Sequence, residues 1–72
     1  MERSNKIKAG RTKLGYNQEQ MAKALNMGIT TYKNKENGIT EFTETEINKY
    51  LALTEQKFED VFLDKDIFLQ TG

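Results

Sequence analysis

The sequence predicts an all-α fold, a compact bundle of about five short helices in which helices 2 and 3 form a bent pair. Three observations predict it. Proline is absent from the 72 residues and no segment is strongly β-branched, so helix is the default state of the backbone. Apolar residues recur at helical spacing in one segment after another. Glycine or asparagine stands where that spacing breaks off after each of the first three segments, at Gly15, Asn26, Gly28 and Asn37-Gly38.

In the first segment Ile7, Gly10, Arg11 and Leu14 fall at i, i+3, i+4 and i+7, an amphipathic helix that stops at Gly15. Asn17 takes the N-cap of the second, with Gln20 three residues on as its capping-box partner. Met21, Ala22 and Leu25 supply that helix's inner face, and Asn26-Met27-Gly28 ends it after about two turns. A third short helix over about 29–36 closes at Asn37-Gly38, where glycine can take the left-handed conformation. Thr43 and Glu46 form another capping box and start a fourth helix with Ile47, Tyr50 and Leu51 turned inward. Thr54 is expected to cap a fifth, whose Phe58, Val61 and Phe62 again recur at i, i+3 and i+4. Residues 1–62 read as one helix-turn-helix domain. Residues 63–72 have no clear period and read as a C-terminal tail, with Ile67-Phe68-Leu69 docking back or serving a partner.

Composition excludes most chemistry. There is no cysteine and no histidine, which removes thiolate metal ligands, disulfides, the commonest general base and the commonest metal ligand. No Gly-rich phosphate loop is present, and the acidic residues fall on helix surfaces rather than around a pocket. Asp64-Lys65-Asp66 lacks the glycine and glutamate that a calcium loop needs, and reads as a solvated charge cluster. The expectation is a protein that is not an enzyme and has no cofactor, metal or small-molecule substrate. No apolar run approaches the ~18 residues that span a bilayer, so no membrane partner is expected and the location reads as the cytoplasm, in a bacterial host.

The formal net charge of zero conceals a polarised molecule. Residues 1–35 carry eight basic and two acidic side chains, a net of +6; residues 36–72 carry three basic and nine acidic ones, a net of −6. A basic half suits phosphate. An acidic half suits a basic protein surface, or serves only as a solvated face.

Two short helices joined by a tight turn serve to present the second of them. Counted from Gln18, the fourth residue, Met21, is apolar to reach the core, and the fifth, Ala22, is small where the next helix crosses at close range. Leu25 and Met27 flank the turn, and Asn26 takes a position asking for positive φ. Tyr32 fills the buried place in helix 3. Lys35 stands where an apolar residue is usual, its stem able to cover the core while the ammonium reaches water.

With Arg11, Leu14-Gly15-Tyr16-Asn17-Gln18, the turn around Ala22, Glu36-Asn37-Gly38, Phe42-Thr43 before Glu46-Ile47, and Phe58-Glu59-Asp60-Val61-Phe62, the chain resembles the Cro and phage-repressor (XRE) helix-turn-helix family from about Ile7 to Phe62. The short length and divided charge look most like small regulators of phage lysis–lysogeny switches, either Cro-like proteins or antirepressors that modulate a repressor. The resemblance implies a structural ion pair between Arg11 and Glu36 that sets the angle of helix 3. It implies a sugar-phosphate or base contact at Gln18, whose alternative is a solvent-facing helix start. Asn37 is expected either to offer a phosphate hydrogen bond or to serve only as a turn residue.

Gly28, Ile29, Thr30, Thr31, Lys33 and Asn34 are expected on the exposed face of helix 3. If operator DNA is the target, Asn34 can pair with adenine, Thr30 or Ile29 can pack on a thymine methyl, and Lys33 can meet phosphate. The helix carries no Arg or Gln, and Ile29 holds a leading position where the family often has a polar side chain. An apolar anchor there suits a protein interface. Two functions are therefore expected. The favoured one is an antirepressor that binds the DNA-binding domain of a cognate phage repressor and relieves or alters repression. The alternative is a Cro-like homodimer that binds double-stranded operator DNA through helix 3.

Overall fold

The computed structural model describes residues 2–63, which form five helices: α1 (Glu2–Lys13), α2 (Gln18–Ala24), α3 (Ile29–Glu36), α4 (Glu44–Thr54) and α5 (Phe58–Val61). The all-α expectation holds, and so do most of the helix ends. α1 ends before Gly15, which adopts φ +80°, a conformation open to glycine and strained for other residues. Asn17 caps α2 through its side-chain oxygen, 2.7 Å from the Gln20 amide, while the Gln20 side chain accepts from the Asn17 amide at 2.9 Å. Thr43 and Glu46 make the same reciprocal pair at the start of α4. The turn between α2 and α3 passes through Asn26 at φ 59°, as its residue type suggests. The tail expected over 63–72, with its Ile67-Phe68-Leu69 triplet and Asp64-Lys65-Asp66 cluster, lies outside the described residues from position 64 on.

Two expectations fail at the C-terminal end. Thr54 does not cap a fifth helix; it is the last residue of α4, and its hydroxyl donates to the Tyr50 carbonyl at 2.8 Å. A hydroxyl bonded back to a carbonyl of its own helix is not offered to the first amides of the next. The chain turns one residue later, at Glu55 with φ 54°. Phe58 is not turned into the core but remains 48% exposed. α5 has only four residues, enough to seat Val61 and, just beyond it, Phe62, while Phe58 stacks on the outside of the Phe62 ring.

The core is drawn from every helix. Ile7, Met21, Ala22, Leu25, Tyr32, Tyr50, Val61 and Phe62 are buried, each large apolar side chain contributing on the order of 1.5–3 kcal/mol. Phe42, from the loop before α4, lies between the rings of Tyr32, Tyr50 and Phe62 at centroid distances of 6.4, 6.4 and 5.8 Å. α1 packs against α3, α4 and α5, and α2 packs against α3.

α1 and α4 meet at Gly10. The Tyr50 hydroxyl donates to the Ile7 carbonyl at 2.8 Å, crossing the face of α1 where Gly10 has no side chain. A Cβ on Gly10 would lie 2.2 Å from that hydroxyl, closer than any real contact. Gly10→Ala is therefore expected to destabilise the domain by about 1–3 kcal/mol in urea unfolding. Adding Tyr50→Phe to that variant should recover part of the loss, because it removes the obstructing oxygen.

Candidate functional site

α3 is held by two side chains one turn apart and leaves the rest of its surface outside. Tyr32 and Glu36 are 0% and 1% exposed. Ile29, Thr30, Thr31 and Lys33 are exposed, Asn34 is half-buried, and Gly28 and Asn37, at the two ends, are exposed. The seven residues expected on or beside the face of helix 3 thus form one continuous outward surface. It is apolar and hydroxyl-bearing at its start and basic and amide-bearing farther along. Ala22 is 1% exposed, and its small side chain suits the close crossing of α2 and α3.

Beneath this surface lies the ion pair. Arg11 Nε is 2.9 Å from Glu36 Oε2, and Arg11 Nη2 is 3.5 Å from Oε1. Arg11 Nη1 donates to the Tyr16 carbonyl at 2.8 Å, which fastens the α1–α2 loop to the same guanidinium. The Tyr32 hydroxyl donates to Glu36 Oε2 at 2.5 Å. Burial alone would raise the pKa of Glu36. Hydrogen bonds from Arg11, Tyr32 and Gln18 outweigh burial and hold the carboxyl below its ordinary range. The Tyr32 hydroxyl is pushed far up, first by burial and then by donating to a carboxylate, so it remains a neutral donor.

Gln18 departs from the solvent-facing helix start that was the alternative to a contact. Its Nε2 donates to Glu36 Oε1 at 3.0 Å, so the half-buried side chain joins the network. It therefore sits by the end of α3, about 12 Å along the axis from Gly28 at helical rise. Lys35 also departs from expectation. Its ammonium bonds the Glu46 carboxylate rather than reaching water, so the residue that completes the capping box of α4 also ties α4 to the end of α3. The part of Tyr32 in the network was missed by sequence reasoning, although its i, i+4 spacing to Glu36 signals it. The Tyr16 carbonyl and Glu46 carry no such signal.

The geometry leaves the outer face of α3 open to solvent. Among the described residues no group of acidic side chains is placed to hold a metal ion, and no helix is long and apolar enough to cross a membrane. A family model described as helix-turn-helix matches residues 7–60, most of the chain. No curated protein and no solved structure matches it.

Arg11→Met strands the Glu36 carboxylate and is expected to cost about 3–5 kcal/mol in denaturant unfolding, with Glu36→Gln added to it returning much of the loss. The pH dependence has a definite sign. A carboxyl whose folded pKa lies below its unfolded value of 4.5 contributes stability above pH 4.5, and that stability is lost as pH falls through the folded value. Thermal unfolding from pH 7 to pH 2 should show wild type losing stability below about pH 4.5 more steeply than Glu36→Gln.

Proposed function

The chain belongs to the helix-turn-helix family, whose members are DNA-binding transcription regulators and not enzymes, and from that premise we propose that it controls transcription by laying α3 in the major groove of a double-stranded operator. The supporting observation is the division of α3 between the buried anchors Tyr32 and Glu36 and an outward face of Ile29, Thr30, Thr31, Lys33 and Asn34. A helix so anchored presents its first turns to base edges. Asn34 offers the donor and acceptor that adenine requires, and the methyls of Thr30 and Ile29 suit thymine. Lys33, with the exposed Lys8, Lys13 and Lys23 of the basic half, supplies charge for phosphate. Gln18 enters this reading as a support for α3 through Glu36, and Asn37 as an exposed amide at the helix end available to phosphate.

A second reading is favoured by Ile29. It is the first residue of α3, is 37% exposed, and has no Arg or Gln beside it on that helix. An apolar side chain leading the helix suits a dry pocket on another protein. On that reading the chain acts in a phage-type switch as an antirepressor, gripping the DNA-binding domain of a repressor.

Selection of bound duplexes from a random pool, followed by titration against salt, separates the two. Operator binding gives an enriched sequence and a log affinity that falls by about 0.9 log unit per tenfold rise in salt for each phosphate neutralised. Asn34→Ala should then cost about 1–3 kcal/mol on the enriched site, while Lys33→Ala weakens all duplexes and lowers the slope by about one. No enrichment, with a stable complex formed on a repressor domain and lost in Ile29→Asp, would replace the first reading by the second.

A further inference from the structure

α5 and the turn before it carry a second set of exposed residues. Phe58 is 48% exposed and Leu63 40% exposed. The two are joined, since the Leu63 amide donates to the Phe58 carbonyl at 3.3 Å. Phe58 is held in place rather than free, its ring stacked on Phe62 at 5.8 Å and 26°. Beside this apolar pair in the sequence stand the exposed acids Glu55, Glu59 and Asp60, with Lys57 the one exposed base of that turn. Among the described residues none of the three acids forms an ion pair.

α3 carries a matching surface of opposite charge. Ile29 and Lys33 are one helical turn apart, both exposed, an apolar group with a cation beside it. α3 has no acidic residue in its first turn. We propose that the α5 surface of one molecule docks the α3 surface of a second copy, Ile29 entering beside Phe58 and Leu63 while Lys33 meets Glu59 and Asp60. The charge division of the chain, +6 in residues 1–35 and −6 in residues 36–72, favours this head-to-tail arrangement. A twofold arrangement of α5 on α5 sets Glu55, Glu59 and Asp60 against their own copies and is opposed by like charge.

In an open assembly head-to-tail docking leaves one α3 and one α5 surface free, so it extends with concentration unless the rotation closes a ring. Each docked α3 is also withheld from any other ligand. Where α3 is the DNA-reading helix, as proposed above, assembly and operator binding compete, and the regulator limits its own activity as it accumulates. The self-association itself does not rest on that reading and is measured without DNA.

Sedimentation of the full chain over a range of concentrations tests it, using two variants of exposed positions. Ile29→Asp removes the α3 anchor at a helix start where an acid is tolerated. The double variant Glu59→Lys/Asp60→Lys reverses the α5 rim. Wild type should give a mass that climbs with concentration at about 50 mM salt and returns toward monomer at about 0.5 M, where the Debye length is only a few ångströms. Each variant alone should associate at least about tenfold more weakly, while an equal mixture of the two should associate again, because each supplies the surface the other lacks. A monomer at every concentration, a mass that stops at two and ignores Ile29→Asp, or a mixture no better than its components would overturn the proposal. Circular dichroism melts of both variants, expected to match wild type, identify a loss of association that comes from unfolding; association retained by folded variants also overturns it.

Discussion

The Glu36 carboxylate is the constraint on which the domain depends. It is 1% exposed and ionised, a state that is costly in a small core unless every lone pair is engaged. Here the engagement is complete and comes from three directions: Arg11 from α1, Gln18 from the start of α2, and Tyr32 from one turn back in α3. Arg11 also holds the Tyr16 carbonyl of the α1–α2 loop. One charge thus fixes how α1, α2 and α3 meet.

The outward surface of α3 follows from that anchoring. With Tyr32 and Glu36 inside, the helical repeat carries Ile29, Thr30, Thr31 and Lys33 outside. The same end of α3 is secured a second time, where Lys35 pairs with Glu46 and Glu46 in turn caps α4. On the other side of the core, Gly10 admits the Tyr50 hydroxyl to the backbone of α1. Burial pushes that hydroxyl's pKa up to about 12, so it donates throughout the neutral range. The exposed helix is short, and Tyr32, Lys35 and Glu36 hold its C-terminal half.

Much of this was legible in the sequence because it rests on local chemistry. Both capping boxes, the left-handed turns at Asn26 and Gly15, and the buried Met21, Ala22, Leu25 and Tyr32 follow from residue type and spacing alone. The Arg11–Glu36 pair, 25 residues apart, was expected through resemblance, since no local pattern joins such distant positions. What was misread lay where one local rule met another, or met a tertiary contact. Thr54 has the right type for a cap, yet its hydroxyl found a carbonyl in its own helix. Phe58 has core spacing, yet a four-residue helix cannot seat three inward positions. Gln18 and Lys35 look like surface residues until Glu36 and Glu46 are brought beside them.

The central claim, that a charge-anchored α3 is the surface this protein offers to DNA, is tested most directly by backbone amide NMR of the full chain titrated with a selected duplex. In a sample dilute enough to be monomeric, the largest shift changes should fall on residues 28–34 and 37, with smaller ones along the basic half, and α5 should stay unmoved. Changes centred on α5, with α3 undisturbed, would contradict it.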